Sequence, residues 1–328
     1  MSPAVHGVRA PDAGPHALLS ASFARAYFVT LRPYLCFVSG ATGLVGLALT
    51  TSLSTVRLVV LGVVFFVAYG FGQALTDVTQ LDTDAISAPY RPMVRGQIRP
   101  RDVLLVSVLG LGCCAIAFIA FNPAVALLAV VPVIGLATYT PMKRRFWAGP
   151  LWNSWIVAML PFLGALSDGR GPSAVLAESA TRSAIAAAFF GYMTFVLLGY
   201  LKDVDADRRT GYVTLPVRFG RRVTVGVSFV CALGALASSL PLVARGASTA
   251  GAIVWFAGAA MLLYAHGMAW KVTRDADAHP AITMGLRGYV ALELGVVLVL
   301  RPTLLLLVVA MLGAFELALA LRPCREQV

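Results

Sequence analysis

Apolar residues in this chain form repeated runs separated by short polar segments. Most runs contain about 17–25 residues, the length with which an α-helix crosses the hydrocarbon core of a bilayer. The predicted spans are 27–52, 57–76, 102–121, 123–140, 151–167, 181–201, 224–243, 249–270 and 287–321. The pattern therefore predicts an all-α polytopic membrane protein with about nine transmembrane helices.

The predicted organisation is an N-terminal tail over 1–26, one transmembrane helical domain over 27–321 and a C-terminal tail over 322–328. The tail at the N-terminus has neither a long apolar core nor a clear cleavage site, so it is interpreted as cytoplasmic rather than as a signal peptide. The last span is too long for one straight helix and contains Arg301-Pro302. Because proline removes a backbone donor, this span is either kinked or split in two.

The amino-acid composition is typical of a membrane protein and limits the classes of partner and bound metal. Hydrophobic residues make up 59% of the chain and charged residues 12%, about half the usual charged fraction of a soluble domain. The net charge is +11, but the basic residues lie in short loops, which indicates topology and excludes nucleic acid as a partner. Four of the five cysteines lie in apolar runs without a CxxC pair, so neither a disulfide framework nor a zinc site is indicated.

The distribution of lysine and arginine predicts the orientation. With the N-terminus inside, eighteen basic residues fall in the inside segments and six in the outside segments. Since positive residues accumulate on the cytoplasmic side, both acidic segments described next are expected to face the cytoplasm, in a protein of the cell membrane.

The first acidic segment, TDVTQLDTDAISAPYRPMVRGQIRPRD, begins at Thr76, where the second span ends. If that helix continues, Asp77, Gln80 and Asp84 lie on one face. The second, LKDVDADRRTGYVTLPVRFG, begins at Leu201 and places Asp203 and Asp207 four residues apart. Both segments follow an apolar span on the same side of the membrane.

Carboxylates at one depth on different helices can converge on a hard cation. Mg²⁺ takes oxygen ligands, usually one or two carboxylates with substrate phosphate oxygens, and neighbouring arginines and lysines bind phosphate as well. The two segments therefore suggest a site for a diphosphate with an apolar tail. One alternative is that these acids are ordinary solvated charges at the ends of helices. Another is an ion transporter, although transporters usually place their acids near the middle of a span.

Four segments together resemble the UbiA superfamily of membrane prenyltransferases. The stretch from Thr76 is similar to the first motif, NDxxDxxxD followed by Pro-x-Arg-Pro, and DVDADRRTGYVTLPVRFG resembles the second, DxEGDRxxGxxTLPVxxG. YTPMKRRFWAGPLWNS, from Tyr139, is similar to YSxPxxLKR with its trailing Gly and Asn, and LRPYL, from Leu31, matches the opening of the first helix. The resemblance covers nearly the whole chain.

The resemblance implies a central cavity, open to the cytoplasm and to lipid, in which Mg²⁺ and a prenyl diphosphate lie between the two motifs. By similarity, the metal ligands are Asp77, Asp84, Asp203 and Asp207, and these act in catalysis together with Gln80. The diphosphate is expected to contact Arg91, Tyr139, Lys143, Asn153 and Lys202.

The first motif departs from the family pattern. Thr76 stands in place of Asn and Gln80 in place of the middle Asp, which removes one carboxylate from the metal site. Asp82 cannot replace it on a regular helix, because it lies about 200° around the axis from Asp84. Tyr200 stands where many members have Asp or Asn, upstream of an otherwise intact second motif.

Several other side chains are weighed for function. The aromatic side chains near the motifs are candidates for stabilising a carbocation, with ordinary packing as the alternative: Tyr69, Phe71, Phe195 and Tyr200. Glu293, inside the last span, is either functional or satisfied by a partner such as Arg301 or His266. His266 itself is expected to be a packed polar residue, and Asp275 and Asp277 are expected to be solvated.

Two functions follow from this reasoning. The first is an intermolecular prenyltransferase that ionises an isoprenyl diphosphate with Mg²⁺ and passes the prenyl group to an aromatic or other lipophilic acceptor. The second is a terpene cyclase on the same scaffold, in which the ionised chain is attacked by its own double bonds. The altered first motif favours the second hypothesis more than an intact motif would.

Overall fold

The computed structural model describes residues 14–246 and 248–324, and the regular structure within them is helical. The α-helices are α1 Ala21–Leu31, α2 Pro33–Ala48, α3 Thr55–Asp77, α4 Leu81–Ser87, α5 Pro100–Phe121, α6 Ala126–Arg145, α7 Gly149–Leu166, α8 Pro172–Ala177, α9 Ser179–Gly199, α10 Val204–Arg209, α11 Leu215–Phe219, α12 Arg221–Arg245, α13 Thr249–Ala269, α14 His279–Leu300 and α15 Leu305–Ala320. Short 3₁₀ turns lie at Pro123–Val125, Tyr200–Lys202, Asp275–Ala278 and Pro302–Leu304.

The predicted membrane architecture is confirmed. Among the described residues, nine helices are long and apolar enough to cross a bilayer, and the bent pair α1–α2 forms a tenth crossing if it is counted as one span. Apolar side chains on the outer helices, such as Leu127, Val230 and Leu306, are exposed as lipid-facing residues are. The chain is an integral membrane protein.

The first crossing is broken at Arg32. This residue adopts the left-handed conformation, with φ of 51°, and Pro33 begins the next helix, so α1 and α2 meet at a bend of 57°. Helix α1 starts at Ala21, before the start predicted at residue 27, and residues 1–13 of the predicted tail lie outside the described residues. The bend places the Arg32 side chain at the end of α3.

The last predicted span, 287–321, consists of two helices that separate at Arg301-Pro302. An ion pair of 2.6 Å joins Arg287 of α14 to Glu316 of α15, which lie at similar distances before and after the break at Arg301, so the two helices run antiparallel. The described C-terminal residues therefore return to the side on which α14 begins. Nine crossings would have placed them on the opposite side.

Small residues bring the central helices close together. A Cβ atom on Gly164 of α7 would lie 2.8 Å from the Cα of Gly46 on α2. On the α13–α14 pair, a Cβ on Gly258 or on Gly288 would lie 2.9 Å from the carbonyl oxygen of the other glycine. Glycine at such contacts lets membrane helices approach backbone to backbone, and here it fixes the frame around which the site is built.

Helix α14 is the most buried crossing, and its Glu293 has neither of the partners suggested from the sequence. Arg301 donates to the carbonyl oxygens of Ala48 and Thr50, and His266 bonds to Ser228 and Leu262. The expectation that His266 is a packed polar residue is confirmed, whereas Glu293 Oε1 has no hydrogen-bond donor among the described residues.

Candidate active site

A cavity of about 230 Å³ lies between α2, α3, α5, α6, α7 and α9. Its walls include both Lys143 and Ala129 on α6, so it extends roughly 21 Å along that helix at 1.5 Å per residue. The charged residues gather where α3, α6 and α9 end, and the far part is lined by apolar side chains such as Leu111 and Phe118. The shape suits a molecule with a charged head and a long apolar tail.

The first acidic segment does not continue α3 as a regular helix. Helix α3 ends at Asp77, a turn follows, and Gln80 precedes the short helix α4. Asp77, Gln80 and Asp84 nevertheless all line the cavity, so the predicted convergence is correct although the continuous helix is not. Asp82 points outward as expected, with 43% of its side chain exposed and an ion pair to Arg144.

Asp77 is held by cations and an amide rather than by solvent. Arg32 Nη2 donates to both of its carboxylate oxygens, at 2.9 and 2.6 Å, and Gln73 Nε2 donates to Oδ1 at 2.8 Å. Arg91 Nη1 lies 3.6 Å from the same Oδ1 and forms a closer ion pair with Asp84. Arg32 was missed as a site residue from sequence, although the LRPYL motif contains it.

The ionisation of Asp84 is perturbed by its surroundings. Burial raises its pKa to about 6, Arg91 opposes the shift, and Asp77 and Asp203 add to it. Burial alone would lower the pKa of Arg91, but Asp77 and Asp84 hold it above its ordinary value. Arg91 is therefore a fixed cation at the mouth of the cavity.

Lys143, near the end of α6, connects the two acidic segments. Its Nζ lies 3.4 Å from Gln80 Oε1 and 3.4 Å from Asp207 Oδ1, with 6% of the side chain exposed. Gln80 Nε2 also donates to Thr140 Oγ1 at 3.3 Å, which fixes the amide against α6. Gln80, the neutral residue of the first motif, thus accepts a hydrogen bond from Lys143, and Lys143 also pairs with Asp207 of the second motif.

Only one of the two acids predicted in the second segment, Asp203, lines the cavity. A 3₁₀ turn, Tyr200–Lys202, ends the α9 span, and Lys202 and Asp203 line the cavity. Asp207, on α10, has no exposed side-chain surface and lies behind Lys143, with Thr214 Oγ1 donating to Oδ2 at 3.1 Å. Burial raises the pKa of Asp207 and Lys143 opposes that shift.

The second segment is braced by the loop before α14, which corrects the expectation that Asp275 is solvated. Asp275 Oδ2 accepts from the backbone N–H of Asp205 at 2.9 Å, and Oδ1 pairs with Arg221. Arg221 also donates to the carbonyl oxygen of Leu201 at 2.6 Å. Asp277 is more exposed and pairs with Arg274, its neighbour in the loop.

Two pairs of tyrosine hydroxyls lie below the charged end. Tyr139 and Tyr200 are 2.9 Å apart, Tyr69 and Tyr192 are 3.0 Å apart, and Asn153 Nδ2 donates to Tyr192 at 3.4 Å. All five line the cavity, as does Phe195. Phe71 does not: its ring covers Gly110, so this aromatic candidate is a packing residue.

The acidic residues fit an oxygen-seeking cation that shares its ligands with a substrate. Asp84 Oδ2 and Asp207 Oδ1 are buried without a hydrogen bond of ordinary geometry, and each forms an ion pair, with Arg91 and with Lys143 respectively. Within residues 14–246 and 248–324, no three Asp, Glu, His or Cys side chains converge on one point. Mg²⁺ is suited to such a set, because it commonly takes one or two carboxylates and completes its shell with phosphate oxygens and water.

A match to the UbiA prenyltransferase family spans residues 36–287, from α2 into α14, and so contains both acidic segments. The chain belongs to the UbiA prenyltransferase family. This UbiA chain is 31% identical over 215 residues to the digeranylgeranylglyceryl phosphate synthase of Natronomonas pharaonis, covering 64% of the chain and 75% of that enzyme. It is 29% identical over 221 residues to the enzyme of that name from Methanoculleus marisnigri, covering 66% and 76%. It is a UbiA-type prenyltransferase.

Solved UbiA structures share the fold. A homologue from Aeropyrum pernix, without ligand, superposes with a TM-score of 0.71 at 19% identity, over 80% of this chain and 97% of that one. A homologue from Archaeoglobus fulgidus, solved with geranyl diphosphate (GPP) and Mg²⁺, gives 0.59 at 18% identity, over 83% and 99%. The helical arrangement around the cavity is therefore that of the family.

Proposed function

We propose that this enzyme ionises a long-chain isoprenyl diphosphate and transfers the prenyl group to the hydroxyl of a lipid acceptor, such as a prenylated glyceryl phosphate. The observation that carries this proposal is the composition of the cavity. A cluster of acids and cations lines one end, and apolar side chains line the rest of its length of roughly 21 Å. The names of the similar enzymes and the ligands of the Archaeoglobus structure support it.

The chain's own residues supply most of the binding. Arg91, Lys143 and Lys202 would hold the diphosphate oxygens, with Tyr139 and Asn153 as further donors, as the family resemblance implies. Asp84 and Asp203 would share a Mg²⁺ ion with the diphosphate, which would neutralise charge on the leaving group. The other predicted ligands, Asp77 and Asp207, would act through the cations that they hold.

The chemistry then follows from the division of the cavity. The bond between the allylic carbon and the diphosphate oxygen breaks, and both electrons remain on the diphosphate, where the cationic side chains stabilise them. The carbocation forms beside the rings of Tyr69, Tyr192 and Phe195, whose faces stabilise positive charge. The acceptor oxygen forms the new carbon–oxygen bond, and its proton leaves with the diphosphate or with water at the open end.

Transfer and cyclisation are separated by the need for an acceptor. Purified enzyme is incubated with geranylgeranyl diphosphate and Mg²⁺, with and without geranylgeranylglyceryl phosphate, and the lipid products are analysed by mass. We expect a doubly prenylated product with the acceptor and almost no consumption of diphosphate without it. Hydrocarbon products in the reaction without acceptor would favour the cyclase, and 4-hydroxybenzoate as a second acceptor tests the aromatic class.

The proposal includes the orientation. The ends of α3, α6 and α9 that form the charged end of the cavity carry the loops with most of the lysine and arginine, which supports a cytoplasmic position in the cell membrane. Water-soluble diphosphate would then enter from the cytoplasm, and the tail and the acceptor would enter from the bilayer.

A further inference from the structure

Each acidic motif contains one carboxylate that is already paired with a buried cation from another helix. Asp77 accepts two hydrogen bonds from Arg32, and 3% of its side chain is exposed. Asp207 lies 3.4 Å from Lys143 and its side chain is fully buried. Both carboxylates are ones that the family resemblance assigns to the metal.

The position of Lys143 is the more informative. Its ammonium lies 3.4 Å from the carbonyl oxygen of Gln80 and 3.4 Å from the carboxylate of Asp207, and thus between the middle position of the first motif and the last acid of the second. A divalent cation at this point would displace the ammonium. It would also find a neutral amide in place of the usual carboxylate, which is a weaker ligand for a hard cation.

Two further carboxylates, Asp84 and Asp203, line the cavity. Asp84 forms an ion pair with Arg91 of its own motif, whereas Asp77 is held by Arg32 and Gln73 in addition to Arg91. Asp84 lies in the short helix α4 and Asp203 directly precedes α10, so each acidic motif contributes one of them to the cavity wall. They face the same cavity as Arg91 and Lys202. One ion with two carboxylates and phosphate oxygens is an ordinary coordination for Mg²⁺.

We infer that this enzyme works with one divalent cation, shared by Asp84, Asp203 and the diphosphate, and that the ammonium of Lys143 occupies the place of a second ion. The inference rests on the proposed function, because the diphosphate completes the site. It accounts for Gln80: a neutral carbonyl accepts a hydrogen bond from the ammonium and leaves Asp207 as the counter-ion of Lys143. Asp77 is then a positioning residue for Arg32 and Arg91.

The test counts bound metal rather than turnover. The protein is saturated with geranyl S-thiolodiphosphate, an analogue that resists ionisation, and Mn²⁺ is titrated with free ion followed by electron paramagnetic resonance. We expect one tightly bound Mn²⁺ per chain and no signal from a coupled Mn²⁺ pair. Two tightly bound ions per chain in the unmodified enzyme would overturn the inference.

Variants test whether Lys143 limits the number of bound Mn²⁺ ions. The pair Gln80→Asp with Lys143→Gln restores a carboxylate and removes the ammonium, so the second ion should bind and the count should rise to two. The control Asp277→Asn changes an acid outside the cavity and should leave the count at one. A count of one in the double variant would contradict the assignment of Lys143. Analogue binding that does not depend on Mn²⁺ in any variant would instead contradict the proposed function.

Discussion

The pairing of Lys143 with Asp207 predicts a strong coupling between two substitutions. Lys143→Met leaves the Asp207 carboxylate buried without its cation, and Asp207→Asn leaves the ammonium without its anion. For two charges 3.4 Å apart, the Coulomb energy at an effective dielectric constant near 20 is about 5 kcal/mol. Breaking one side of a buried pair costs about 3–5 kcal/mol, so each single variant should lose an amount of that order.

The double variant should recover most of that loss, because neither charge then remains. A change of this size corresponds to a fall of about 10 °C in melting temperature for each single variant. The free cysteines Cys36, Cys114 and Cys231 are buried, so in a background in which Cys113 and Cys324 are replaced by serine a thiol-reactive dye reports unfolding in detergent as temperature rises.

Activity is expected to separate from stability in this cycle. The double variant should melt near the unmodified enzyme but transfer no prenyl groups, since the cation at the diphosphate site is absent. Losses in melting temperature that simply add in the double variant would refute the reasoning, because the two side chains would then act independently.

Three further outcomes follow from the geometry. Because the folded pKa of Asp84 is raised to about 6, its carboxylate is lost as pH falls through that value, and kcat/KM should decline near pH 6 rather than near pH 4. Asp275→Ala should raise the Mg²⁺ concentration for half-maximal turnover several-fold, whereas Asp275→Asn, which keeps one acceptor oxygen, should recover part of it. An impermeant thiol reagent should label Cys324 and Ala85→Cys from one side of the membrane and Ser52→Cys from the other; labelling of Cys324 with Ser52→Cys would contradict the antiparallel α14–α15 pair.

The sequence was sufficient for the membrane architecture and for the residues that meet at the cavity. Span length is a direct consequence of bilayer thickness, and the acids at the ends of spans mark the depth of the charged end. Asp77, Gln80, Asp84 and Asp203 line one cavity, as their positions at the ends of spans suggested, and Arg91 and Lys143, which the family resemblance implied, line it as well.

The pairing of these side chains could not be predicted in the same way. Whether Asp77 faces a metal or Arg32 depends on the left-handed residue that breaks the first crossing, and hydropathy does not show a break of that kind. Asp203 and Asp207 keep their i, i+4 spacing across α10, but the 3₁₀ turn before them ends the α9 span, and Asp207 comes to lie behind Lys143 instead of lining the cavity. The sequence could not decide whether the last span is kinked or split at Arg301-Pro302, because proline is compatible with both a kink and a turn.

Metal-dependent prenyl transfer at this cavity is tested most directly by following pyrophosphate and prenylated lipid together in one reaction. The enzyme is given geranylgeranyl diphosphate and geranylgeranylglyceryl phosphate with Mg²⁺, then with EDTA, then with Mg²⁺ restored, and Asp84→Asn is run in parallel. We predict equal amounts of pyrophosphate and doubly prenylated lipid, abolished by EDTA, recovered with Mg²⁺ and nearly absent in the variant. Transfer that continues in EDTA, or at an undiminished rate in Asp84→Asn, would contradict the account.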